Sequence, residues 1–372
     1  MTPYHVVIHS THKATSSGHG GNKRLEQLVE FFRARAASTR LVLDSFGGSP
    51  RANVEAIARG LLPRRSGPAE RYLNLRAVRN YGVARAILDD DAPLDGTVLV
   101  FDTMVRAWGA IFPELRERGA RTVIFPQNVD SLYDGVVDPI SGRVSPAWFE
   151  DELDVYRRAD LTCCLSREDQ WFLSLHGIPA RYLPYHPTPD RRRQLAALRD
   201  RRGSSAGDVV IVLGSAHNQP TFKGMQALLR RAPELARAAA PREVVVIGHG
   251  TEALRDVVRA PEVRVLGGVS DEVLDDYLVR ASLCVCCQAA TTGALTRIPE
   301  LACAGVPIVA TYTAARSYQH LAGLRVAETT GEVFELVRTW CAPRFAAPDP
   351  PIDAETALTR AIERLAAGEN TD

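Results

Sequence analysis

Lysine is scarce in this chain: of 45 basic residues, only Lys13, Lys23 and Lys223 are not arginine. Net charge is nearly absent too, at +1 over 372 residues. A nucleic-acid binder usually carries a clear basic excess, so nucleic acid is not an expected partner. No window holds the roughly 18 apolar residues that a membrane span needs. Met1-Thr2-Pro3-Tyr4-His5 has no basic stretch leading into an apolar one, so no signal peptide is expected. No cysteines combine Cys-x-x-Cys spacing with nearby histidine, which argues against zinc. The seven cysteines are an odd number. Cys163, Cys164, Cys284, Cys286, Cys287 and Cys303 lie in or beside apolar runs and are expected to be reduced core residues of a cytoplasmic protein. A compact Gly-x-Gly-x-x-Gly after the first strand is also missing, which disfavours a dinucleotide oxidoreductase.

What is present suits two domains. The chain is 45% hydrophobic and 24% charged, enough to bury a sizeable core. Short β-branched runs alternate with helical patterns. Strands are expected at His5–His9, Leu41–Asp44, Thr97–Phe101, Thr122–Phe125, Leu161–Leu165 and Ala180–Leu183. Helices are expected at Leu25–Arg35, Ala77–Leu88, Ile111–Arg118, Trp148–Arg158 and Arg167–His176. A second series places strands at Val209–Leu213, Glu243–Ile247, Val263–Leu266, Leu283–Cys286 and Pro307–Ala310. Its helices are expected at Met225–Arg237, Glu252–Val258, Asp271–Arg280 and Pro299–Ala304. Such alternation implies α/β architecture with parallel sheets covered on both faces. The expected organisation is an N-terminal Rossmann-like domain over 1–187, a linker over 188–205 and a C-terminal Rossmann-like domain over 206–345. A tail helix within 346–372 is expected to pack back on the first domain. Ligands of such sheets bind outside the carboxyl ends of the strands.

The segment Gln288-Ala289-Ala290-Thr291-Thr292-Gly293-Ala294-Leu295-Thr296-Arg297-Ile298-Pro299-Glu300 runs on into Ala304-Gly305-Val306-Pro307-Ile308-Val309-Ala310-Thr311. It resembles the donor site of GT-B nucleotide-sugar glycosyltransferases of the group 1, family 4-like set. Gly293, Arg297, Glu300, Gly305 and Pro307 fall at that family's positions. Val209–Lys223-Gly224 looks like its first C-terminal-domain strand, with glycine turn Gly214-Ser215 and Lys-Gly. Val246-Ile247-Gly248-His249-Gly250 looks like its strand ending in Gly-x-Gly. Val263–Ser270, with Gly268 and Val269, looks like the turn that holds the nucleotide base. In the first half, Gly20-Gly21-Asn22 resembles the family's Gly-Gly loop, and Asp154–Ser166 its Glu-x-x-x-x-x-x-Ala-Asp strand. Three departures stand out. Thr292 replaces the first of two glutamates eight apart, Ser215 replaces a basic residue, and Gln127-Asn128 replaces His-Asn.

The resemblance implies two doubly wound domains with an interdomain cleft, and transfer from a nucleoside-diphosphate sugar with retention. Negative charge develops on the departing diphosphate, so cations must meet it: a metal, or positioned Lys and Arg. Lys223 and Arg297 are the catalytic candidates for that, with no metal and no other cofactor expected. Pro299 belongs in a first helical turn. The helix then starts no earlier than about Thr296, which leaves the amides of Gly293, Ala294 and Leu295 to face an anion. Glu300 suits the ribose hydroxyls. Donor contacts are expected from Gly20, Gly21, Gly214, Ser215, Lys223, Gly248, Gly268, Val269, Thr292, Gly293, Ala294, Leu295, Arg297 and Glu300. His19, as a base, and Asp102, as a hydrogen-bonding partner of acceptor or sugar, are the further catalytic candidates; His12, which shares the loop of the base, Gln127 and Asn128 are candidates for the acceptor side. The acceptor (glycan, lipid-linked or small molecule) and the oligomeric state are left open. Asp89-Asp90-Asp91 reads as a solvated loop. Arg191-Arg192-Arg193 suits a solvated linker helix or peripheral contact with the inner face of a membrane. A catalytically impaired nucleotide-binding protein and a GT-B-type nucleotide-sugar epimerase are the alternatives.

Overall fold

The β-branched runs assemble into two six-stranded parallel sheets in a computed structural model. The structure describes residues 3–15, 18–43, 94–103, 106–138, 142–202, 207–341 and 344–369, with positions 51, 54, 55, 57, 58 and 82. The chain divides into one unit of Met1–Pro184 with Pro351–Asp372 and another of Tyr185–Pro350. The helix read at Ala77–Leu88, the loop Asp89-Asp90-Asp91 and the stretch Gly203-Ser204-Ser205 lie outside the described residues, position 82 apart.

The first sheet contains β1 (His5–Ser10), β2 (Ser38–Leu43), β3 (Thr97–Phe101), β4 (Arg121–Ile124), β5 (Leu161–Cys164) and β6 (Ala180–Tyr182), in the order β2-β1-β3-β4-β5-β6. Successive residues of a strand serve opposite faces. Val98 and Val100 meet Leu25, Leu28 and Phe32 of helix Gly20–Arg33, together with Leu358, Ile362 and Leu365 of helix Ile352–Ala366. Leu99 and Phe101 meet Trp108, Ile111, Leu153 and Tyr156 on the other side. The final helix of the sequence is thus part of the first core.

The second sheet contains β7 (Val209–Leu213), β8 (Glu243–Ile247), β9 (Val263–Gly267), β10 (Ala281–Cys286), β11 (Ile308–Thr311) and β12 (Leu324–Ala327), ordered β12-β11-β10-β7-β8-β9. Val210, Val212, Val244 and Val246 pack on Met225, Leu228, Leu235 and Val333. Ile211, Val245 and Ile247 pack on Leu195, Leu198, Ile298 and Leu301. In both sheets the order reverses beside the first strand, between β1 and β3 and between β7 and β10. These are the switch points where open α/β sheets take ligands.

Several expectations need correction. Of the expected linker 188–205, the described residues 188–202 are not a linker. Helix Pro189–Arg201, N-capped by Thr188, buries Leu195 and Leu198 in the second core. Arg199 donates to the carbonyls of Ala302, Cys303 and Phe345, and Arg202 to those of Leu278, Ala281 and Gly305. Each guanidinium fork closes orphaned carbonyls near a helix C-terminus, which lysine's compact ammonium does poorly. The run Arg191-Arg192-Arg193 is not a uniformly basic face either, since Arg193 pairs with Asp190 and Arg191 approaches Glu300. The helix read at Met225–Arg237 is two helices, Gln219–Leu229 and Ala232–Ala239, the second with proline in its first turn. Glu252–Val258 shrinks to a short tight turn, Thr251–Leu254. All six cysteines read as core residues are buried, and Cys341 is exposed. No helix among the described residues is long and apolar enough to cross a membrane.

Candidate active site

At the switch point of the second unit, Gly214 follows β7 and Gly248 follows β8. The Gly214 N–H donates to the Ile247 carbonyl, and a Cβ on Gly248 would lie 1.6 Å from the Gly214 oxygen. Gly248 also sits at φ 144°, so only glycine fits on both counts. Ser215 closes the turn, its carbonyl accepting from the Asn218 N–H. Asn218 then N-caps helix Gln219–Leu229 through the Thr221 N–H. This start places Lys223 inside the helix and exposed, not ahead of a helix beginning at Met225 as the sequence pattern predicts.

Arg297 opens helix Arg297–Cys303 and reaches back across the sheet. Its Nη1 donates to the Leu213 carbonyl at 2.7 Å, and burial pushes the guanidinium pKa down. Glu300 is 6% exposed and accepts from the buried Tyr185 hydroxyl at 2.9 Å, with Arg191 Nε 3.6 Å from the same oxygen. Burial and the neighbouring Glu300 carboxylate push the Tyr185 phenol far up. The loop before this helix is held from behind by Arg316, which donates to the carbonyls of Thr291, Thr292 and Gly293. Leu295 turns into the core, with Ala294 packed against it. Gly268 is engaged elsewhere, since its N–H donates to Glu252 at 2.9 Å; Val269 packs onto the core. No motif in the sequence marks Tyr185 or Arg316, and Arg191 stands out there only as part of an arginine run, not as a neighbour of Glu300.

The switch point of the first unit is built from groups that titrate. Ser10 ends β1 and donates to Asp102 Oδ2 at 2.7 Å, while the His12 N–H donates to Ser10 Oγ. Asp102 follows β3 and is fully buried, and its Oδ1 has no hydrogen-bond partner. Burial raises its pKa to about 7, against the Ser10 hydroxyl, the Arg24 charge and the Gln127 amide. His9, also at the end of β1, stacks on Phe101 and leans on Trp108, and neither ring nitrogen has a partner. Burial lowers its pKa to about 4. The His12 and His19 rings meet edge to face at 4.8 Å, and burial with the His19 charge takes His12 to about 4 as well.

Gly20 and Gly21 are not in a loop, as read; they form the first turn of helix Gly20–Arg33. His19 caps that helix, Nδ1 accepting from the Gly21 N–H at 3.1 Å. A Cβ on Gly21 would sit 2.8 Å from both imidazoles. Glycine here makes room for two histidine rings. Gln127 and Asn128 follow β4. Their loop is pinned by Glu152, which accepts from the N–H groups of Asp130 and Ser131 and from the Tyr156 hydroxyl. Glu152 stands seven positions before Ala159-Asp160, so the Glu-x-x-x-x-x-x-Ala-Asp pattern begins on it rather than at Asp154. Among the described residues, no group of three or more His, Cys, Asp or Glu could hold a metal ion.

Residues 207–339 match the family model described as "Glycosyl transferases group 1". Comparison with curated protein sequences gives no match. Among solved structures, α,α-trehalose 6-phosphate synthase from Burkholderia multivorans superposes with TM-score 0.59 at 13% identity, covering 100% of this chain and 94% of that one. A trehalose-6-phosphate structure from E. coli bound with UDP-2-fluoro glucose gives TM-score 0.58 at 11% identity over 97% and 95% of the two chains. Anabaena Alr3699/HepE in complex with UDP gives TM-score 0.55 at 12% identity over 99% and 95%. The chain therefore has the GT-B fold, and its residues 207–339 form a group 1 glycosyl transferase domain.

Proposed function

We propose that this protein transfers a sugar from a nucleoside-diphosphate sugar to an acceptor hydroxyl, without a metal ion and with retention of anomeric configuration. The observation that carries the reading is the switch point between β7 and β10, where a half-buried arginine, glycine turns and a carbonyl-clamped loop converge. A uridine diphosphate donor is supported by the two structural relatives that hold UDP or UDP-2-fluoro glucose.

Arg297, assisted by Lys223, offsets the charge that grows on the diphosphate as the bond from C1 to the phosphate oxygen breaks. The acceptor oxygen bonds to C1 on the same face, and its proton passes to the departing phosphate oxygen. Glu300, fixed by Tyr185 and Arg191, takes ribose hydroxyls. Gly20, Gly21, His12, His19, Asp102, Gln127 and Asn128 serve the sugar and acceptor side from the first unit. Asp102, with a pKa of about 7, is matched to proton exchange at neutral pH. Work at the cytoplasmic face and a glycan-building role belong to the same proposal.

Thr292 favours one second reading, a nucleotide-binding protein with impaired catalysis, because a carboxylate near the sugar is missing. A thermal-shift screen over UDP-, GDP- and dTDP-sugars tests the first reading, since a ligand that binds only the folded state raises the midpoint. A shift followed by product formation supports transfer, and anomeric NMR of the product reads the stereochemistry. A shift without transfer or donor hydrolysis supports the second reading; no shift with any donor overturns both.

A further inference from the structure

Three successive backbone carbonyls, those of Thr291, Thr292 and Gly293, converge on one guanidinium. Arg316 Nε lies 3.1 Å from the Gly293 oxygen and Nη2 2.8 Å from the Thr292 oxygen, while Nη1 donates to Thr291. Arg316 is 8% exposed. It follows β11, and the next residue, Ser317, is held at φ 62°, a left-handed conformation that costs a non-glycine residue energy. Converging carbonyl dipoles repel one another unless a donor answers each. A planar guanidinium can answer all three, and an ammonium cannot span them.

The consequence lies on the other side of the loop. In a trans peptide the C=O of one residue points opposite to the N–H of the next. Carbonyls of Thr291, Thr292 and Gly293 turned towards Arg316 therefore turn the N–H groups of Thr292, Gly293 and Ala294 away from it. With Gly293 at φ 74°, successive N–H groups can face one concavity, the arrangement that binds anions. Helix Arg297–Cys303 behind the loop spans about two turns, so its dipole adds little.

We propose that Arg316 is a positioning residue for the donor: it never touches the ligand, but it orients the 292–294 amides toward the diphosphate of a nucleotide sugar. The assignment rests on the donor reading of the second unit.

Titration calorimetry with UDP, GDP and inorganic pyrophosphate tests it on the full chain, as wild type, Arg316→Lys and Arg316→Gln. Arg202→Lys, which loosens a carbonyl clamp elsewhere in the same unit, is the structural control. Both Arg316 variants should raise the Kd for the wild-type ligand at least tenfold, whereas Arg202→Lys lowers Tm and leaves Kd within twofold. Wild-type affinity in a folded Arg316→Lys protein, or equal weakening by Arg202→Lys, overturns the assignment and leaves the donor reading standing. No binding of any probe by the wild type overturns both. Should the Arg316 variants not fold, hydrogen exchange on the wild type decides. The 292–294 amides should gain at least tenfold protection with saturating UDP or GDP, and unchanged exchange rules the assignment out.

Discussion

At the first switch point the side chains are ones that gain and lose protons: His9, His12, His19 and Asp102, several with pKa values displaced by burial. At the second they are guanidinium groups tied to backbone carbonyls, with one carboxylate locked by a tyrosine. The two sheets reverse strand order in the same place, yet one end offers adjustable protonation and the other fixed charge. Shared topology thus specifies where chemistry happens and leaves its kind to a few side chains. The proposed function would give the fixed charge of the second unit an anionic leaving group to hold, and the titrating groups of the first unit hydroxyls and protons to manage.

The sharpest way to break that contrast is Asp102→Asn. A folded pKa of about 7 against an ordinary 3.8 means that the native state holds the proton more tightly. Stability is then lost as pH rises from about 4 through 7, up to about 4 kcal/mol for three pKa units. The variant should flatten that slope and melt higher than wild type at pH 8, with no difference at pH 4. Identical pH profiles of Tm would show that Asp102 is not the desolvated acid described above. At the other end, Arg297→Ala should lower kcat by roughly 10²–10³-fold, the usual cost of removing one preorganised charge-stabilising group. Lys223→Ala should act in the same direction, and wild-type turnover in either removes that residue from the donor site.

The acid side separates the units further. His9 and His12 have folded pKa values of about 4, below the ordinary 6.5, so their contribution is present above 6.5 and lost as pH falls towards 4. For His9 this is about 3 kcal/mol. Asp102 gains stability over the same range and opposes this loss, so the test uses the Asp102→Asn background: there hydrogen exchange followed down in pH should show β1 and β3 losing protection before β7 and β10, and His9→Phe, which keeps the ring stack, should delay it. Simultaneous loss in both sheets would deny the contrast. The smallest effect is expected of Ser10→Ala, which removes one buried hydrogen bond worth about 1–2 kcal/mol. Its diagnostic is direction: the Asp102 transition should move to higher pH.

Much of the architecture could be read from the chain. Thr97–Phe101, Val209–Leu213 and Glu243–Ile247 begin and end as expected, because β-branched runs are bounded by turn residues. Asp271–Arg280 does too, because Ser270 caps it. Other boundaries carry signals weaker than a β-branched run. Asn218 with Pro220 marks a helix start ahead of Lys223, and His19 is an uncommon cap for Gly20 and Gly21. Arg316 and Tyr185 were not legible at all. Their meaning comes from partners far along the chain, 23 residues away for the Gly293 carbonyl and 115 for Glu300, and no periodicity encodes that. In the sequence His9 is only the last residue of the expected strand His5–His9, and only the fold shows its ring shut away from any hydrogen-bond partner.

The last helix bears on how the molecule comes into being. Leu358, Ala361, Ile362 and Leu365 complete a core whose other members include Tyr4, Val6 and Leu25. A ribosome delivers the early members first and this helix only after all of Tyr185–Pro350 has been made. During synthesis the sheet face awaiting it stays open to chaperones, while the unit made later can close before the one begun earlier. A chain that stops short would leave its nascent first half with exposed apolar surface, a mark by which quality control could tell an unfinished product from a finished one.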